Sequence, residues 1–139
     1  MKAIAFCICI LSAPVFASEH TAVMSHYLCS ADAAYEPIAR AMGKGQGQAV
    51  YQAAQKCLEE KLPAALAEAG SNADLKTAIK SWHAKEMTLM RSPDDRLVEK
   101  DAREAESVLE MEAKAAGVWD QGGAAHGKKA AMLDVDGQR

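Results

Sequence analysis

The sequence predicts an all-α fold: a small disulfide-stapled bundle of about four helices in antiparallel hairpins, between an N-terminal signal peptide and a disordered C-terminal tail. Three observations carry that prediction. Alanine is abundant, β-branched residues are scarce, and no stretch of four or more residues alternates as a half-buried strand does. Apolar residues instead recur at three- and four-residue steps, punctuated by helix caps and glycine stops. Beyond the leader the chain keeps only two cysteines, Cys29 and Cys57. At 139 residues with 5% aromatic content, there is one core, built mainly from alanine, leucine and methionine.

The leader comes first. Lys2, the apolar run Ala3 to Leu11 and the stretch Ser12 to Ala17 have the three-part layout of a secretory signal. Cleavage is expected after Ala17, because Val15 and Ala17 are small enough for the peptidase. The run is too short to span a bilayer, which takes about 20 residues. Domain boundaries are therefore 1–17 (signal), 18–120 (helical domain) and 121–139 (tail). Cys7 and Cys9 leave with the signal, and so does Lys2, so 15 bases face 19 acids and the net charge moves from −3 to −4. In an oxidising compartment the remaining thiols have only each other, so a Cys29–Cys57 disulfide is expected. The periplasm, or release outside the cell, follows as the predicted location.

The first helix is expected from about Thr21 to Met42, with Val23, Tyr27, Ala31, Ala34, Tyr35, Ile38 and Met42 on its buried face. Pro37 predicts a kink or break near Tyr35-Glu36, since it removes a donor and crowds the preceding turn. Gly43 to Gly47 forms the turn into a second helix, Gln48 to Ala69, with Val50, Ala54, Cys57, Leu58, Leu62 and Leu66 as its stripe. Pro63 should bend or split that helix, and Gly70 should stop it. Ser71 is read as the cap of a third helix carrying Leu75, Ile79, Trp82, Glu86 and Leu89 on one face. Ser92-Pro93-Asp94-Asp95 reads as cap, first position and acidic first turn of a fourth helix from Pro93 to Ala116. Its seam is thin: Leu97, Ala105, Val108, Leu109 and Ala116. Gly117 ends it, and Val118-Trp119 is placed to fold back onto the last turn. From Gln121 onward there is no period, which reads as a tail.

Four groupings carry possible chemistry. His83, Met87 and Met90 share one face of the third helix at i, i+4 and i+7, a soft set suited to Cu(I), with His20, Met24 and His26 available to complete it. Core packing by adaptable methionines is the competing account. The acids Glu59-Glu60, Asp94-Asp95, Glu104, Glu106, Glu110 and Glu112 fall at helix ends or on a solvated face, a poor arrangement for the paired carboxylates of a hydrolase. No Gly-x-Ser-x-Gly occurs, the cysteines are expected to be oxidised, and His126 lies in the tail. Gly43 to Gly47 lacks the preceding strand and following Gly-Lys-Ser/Thr of a phosphate loop.

The acidic balance argues against nucleic acid as a partner, and no membrane insertion is expected after cleavage. No cofactor motif is present. The reading is an exported, non-catalytic protein-binding module, such as an inhibitor or immunity-type partner or an accessory subunit of an envelope assembly. Glu99, Glu106 and Glu110 are candidates for its surface. The alternatives are a copper-binding protein using His83, Met87 and Met90, and a small hydrolase.

Overall fold

The computed structural model describes residues 20–120. They form α1 (Ala22–Tyr27), a 3-10 turn (Leu28–Ser30), α2 (Ala31–Ala41), α3 (Gln48–Ala69), α4 (Ala73–Arg91) and α5 (Arg96–Ala115), with no strand among the described residues. α1, the 3-10 turn and α2 make one interrupted rod, so the domain is a bundle of four rods. Within the described residues no helix is long and apolar enough to cross a membrane. The expected signal peptide at 1–17 and tail at 121–139 lie outside them.

The first rod is interrupted, but not near Tyr35-Glu36 as expected. Its interruption is the 3-10 turn around Cys29, whereas α2 runs through Pro37 without a break. Each 3-10 residue advances about 120° instead of about 100°, so three of them turn the following face by about 60°. That rotation overturns the expected burial of Tyr35, Ile38 and Met42, which are 40%, 57% and 65% exposed. Glu36 turns inward in their place, at 3% exposure. Its carboxylate accepts from the backbone N–H groups of Gln46 and Gly47, both at 3.0 Å, and so holds the glycine turn closed.

Gly45 is packed beneath that contact. A Cβ there would sit 2.9 Å from Arg40 Cα and 2.9 Å from Glu36 Oε1. Gly45→Ala is therefore expected to cost about 1–3 kcal/mol through overpacking, read as a lower urea midpoint.

The Cys29–Cys57 disulfide is present, with Cα atoms 5.5 Å apart, and ties the 3-10 turn to the middle of α3. Beside it, the Val23 N–H donates to Glu68 Oε2 at 2.7 Å, so α1 and α3 run antiparallel as expected. α3 keeps both expected ends, and of the bend or split expected at Pro63 the split does not occur.

Two caps differ from expectation. Asn72, not Ser71, caps α4, its side chain accepting from the Leu75 N–H at 3.0 Å. Asp95, not Ser92, caps α5 by accepting from the N–H groups of Leu97 and Val98 at 2.9 and 3.2 Å, so the helix starts at Arg96 and Pro93 stays in the connecting turn. A carboxylate at that position can serve two orphan donors at once. Asp94, freed from the helix, pairs with Arg40 at 3.5 Å.

α5 ends as expected at Gly117, which adopts φ 72°. Val118 N–H donates to Ala113 O and Gly117 N–H to Lys114 O, the paired closure of a Schellman motif. This closure sends Val118 and Trp119 back onto the core, where Trp119 lies 4.8 Å from the Tyr27 ring. Thr21 Oγ1 donates to Val118 O at 2.6 Å and His20 Nδ1 sits 3.0 Å from Asp120 Oδ2, so the two ends of the domain are clasped.

Two apolar clusters make the core. The larger gathers Met24, Tyr27, Leu58, Ile79, Trp82 and Leu109, and the smaller gathers Tyr51, Ala54, Leu89, Met90 and Ala102. α5 joins them through Ala102, Leu109 and Ala113, all 0% exposed. The expected seam residues Leu97, Val108 and Ala116 are instead exposed.

Candidate functional site

α4 and α5 run antiparallel along an open groove of about 440 Å³. Lys85 Nζ, 3.6 Å from Asp101 Oδ2, bridges the two helices at its surface. Ala78, Ala105 and Val108 supply its apolar surface, and the carboxylates of Asp74, Asp101, Glu104 and Glu112 line it against one lysine, Lys85. The groove is therefore acidic, with Asp101 paired to Lys85 and Glu104 3.9 Å from Lys100 one turn before it.

The outer side of α5 extends it. Leu97, Asp101, Glu104, Val108 and Met111 follow alternating steps of four and three residues, the spacing of a helix seam that faces another helix. Leu97, Val108 and Met111 are 76%, 46% and 58% exposed. Among the described residues no helix covers the exposed Leu97, Val108 and Met111, and these apolar positions flank an acidic centre. Small residues on the inner side of α5 explain why: alanines let α5 pack closely on α4 and leave the larger side chains outside.

The expected surface residues separate. Glu99 is exposed. Glu106 turns inward and accepts from the Tyr27 hydroxyl and from Arg103 Nη1, the latter at 2.6 Å. Burial first, and Glu106 second, push the Tyr27 phenol well above its ordinary value. Glu110 is occupied by Lys114 at 2.6 Å. Glu106 and Glu110 thus support the fold of α5, and Asp101, Glu104 and Glu112 form its acidic face.

The His/Met set on α4 does not converge. Met87 packs in the larger cluster, Met90 packs in the smaller one, and His83 is half-buried. His83 does meet a residue from the N-terminal group: its Nδ1 lies 3.0 Å from His26 Nε2, the two rings stack, and His26 sits edge-on to Trp82. Burial, with the neighbouring His83 adding to it, lowers His26 to a pKa of about 4 against the weaker pull of a Leu58 backbone hydrogen bond. Burial lowers His83 as well, opposed by Glu59. Both rings are therefore neutral at pH 7 and share one hydrogen bond. Met24 is fully buried, and His20 is at the clasp with Asp120. Among the described residues no group of three or more His, Cys, Asp or Glu side chains is arranged to hold a metal ion.

With both thioethers filling core space, Met87→Leu and Met90→Leu are near-isosteric. Each is expected to cost less than about 1.5 kcal/mol, measured by thermal denaturation.

No family model matches the chain, and no curated protein or solved structure is significantly similar to it.

Proposed function

We propose that this protein is an exported, non-catalytic binding module whose α4–α5 face receives a basic amphipathic helix of a partner protein. The observation that carries the reading is the exposed seam Leu97–Asp101–Glu104–Val108–Met111 beside a groove holding four carboxylates and one lysine. A partner helix with apolar residues at the ends of its stripe and Lys or Arg at the centre matches that pattern. Charge at the centre of such a face sets approach rate and register, while Val108 and Met111 offer the apolar contact. Export is supported by the leader-like N-terminus and by the Cys29–Cys57 disulfide, a bond that persists in oxidising compartments. The periplasm is the proposed compartment.

The test is capture of the partner from envelope extract by the mature domain, compared with an Asp101→Lys/Glu104→Lys variant. Both positions are exposed, so the variant should fold. Wild-type protein is expected to retain a basic partner that elutes with salt, and the variant to lose it. Equal retention by both proteins would overturn the reading.

A further inference from the structure

A second site lies away from the groove. Where α2, α3, α4 and the start of α5 meet, a cavity of about 70 Å³ opens, several times what one water molecule requires. Pro37, Leu89, Met90 and Pro93 give it apolar walls, and Glu86, Glu99, Arg103 and Tyr51 give it polar ones. Tyr51 is 5% exposed, and its hydroxyl is buried with no hydrogen-bond partner among the described residues. A buried hydroxyl left without a partner costs stability, and proteins seldom keep one that nothing satisfies. The charges around the cavity are unequal. The lining itself carries two carboxylates, Glu86 and Glu99, against one guanidinium, Arg103, which bonds Glu106 at 2.6 Å and stands 3.8 Å from Glu86, while Arg40 acts on Tyr51 from outside the cavity.

We propose that this cavity binds a protonated primary amine on a short alkyl stem. An ammonium group carries three donors on one atom, so it can donate to the Tyr51 hydroxyl while the Glu86 and Glu99 carboxylates in the lining balance its charge. The stem fits the apolar walls, and the small volume selects against rings. The source is either a free alkylamine or the end of a lysine side chain, which presents the same group. The cavity and the α4–α5 groove share no lining residue, so this site stands or falls independently of the proposed partner surface.

The experiment is an NMR titration of the folded mature domain with n-butylammonium, with n-butanol as the neutral isostere, and with Nα-acetyl-lysine methylamide as the side-chain source. Saturable shifts at Tyr51, Leu89 and Met90 are expected with n-butylammonium and not with n-butanol. Tyr51→Phe removes only the partnerless hydroxyl, so it should fold at least as well as the wild type. It should bind n-butylammonium about fivefold more weakly, the equivalent of one hydrogen bond. Glu99→Gln should weaken it too. Shifts with the lysine derivative would assign the site to a protein side chain, and their absence beside butylammonium binding would assign it to a free amine. The Asp101→Lys/Glu104→Lys variant should bind as the wild type does. Equal binding of n-butanol, or no saturable shift with any probe and only water in the cavity, would overturn the proposal.

Discussion

Reducing the Cys29–Cys57 bond is expected to lower the stability of the domain by about 3–4 kcal/mol, the chain-entropy value for a loop of this size. The two cysteines are 28 residues apart in sequence. The effect is large because domains of this length are typically stable by only about 5–15 kcal/mol. Its position adds to it. The bridge joins α3 to the 3-10 turn, which lacks a full set of α-helical hydrogen bonds and precedes an α2 whose outer face is exposed. Urea denaturation with and without a thiol reductant measures the difference, and Cys29→Ser/Cys57→Ser should reproduce the reduced curve. An unchanged midpoint would show that the staple adds nothing to the packing of α1 on α3.

Acidification is expected to cost about 3 kcal/mol through His26 alone, since each unit of pKa shift is worth about 1.4 kcal/mol. The folded-state pKa is about 4 against 6.5 for the free side chain, so between those values the unfolded chain binds the proton more readily. Stability should therefore be full above pH 6.5, fall as the pH drops through this window, and lose no more from this residue below about pH 4. His83, also lowered by burial, acts in the same direction. His26→Gln places an amide where the imidazole Nε2 meets His83 and removes the titration. Urea midpoints at neutral and acid pH should differ less for that variant than for the wild type. An equal pH dependence would place the acid sensitivity elsewhere.

Much of the fold was legible because its punctuation is chemical. Glycines bracket α3, so both its ends could be read, and Gly117 predicted the return of Val118 and Trp119. The two cysteines beyond the expected leader predicted their own pairing. What could not be read is phase. Nothing in Leu28-Cys29-Ser30 marks a 3-10 turn, yet those residues rotate α2, bury Glu36 and expose Ile38. The caps went to Asn72, next to Ser71, and to Asp95, three residues after Ser92, because serine, asparagine and aspartate are equally good caps in isolation.

The groove was half-visible. Leu97 and Val108 stood out as a thin seam, but periodicity does not say whether a stripe faces the core or another chain. The alanines at 102 and 113, too small to stand out in a hydropathy pattern, are what α5 buries beside the expected Leu109. The cavity beside Tyr51 was not legible, since four separated segments build it.

The α4–α5 face is the proposed point of contact with another protein. A photo-reactive amino acid at Val108, expressed in the native host and activated in intact cells, tests this most directly, with the same residue at exposed Lys61 on α3 as the control. The expected result is a discrete adduct in the periplasmic fraction from position 108, absent from position 61 and lost when Asp101 and Glu104 are both lysine. Adducts of equal yield from both positions, or a Val108 adduct indifferent to the charge reversal, would contradict it.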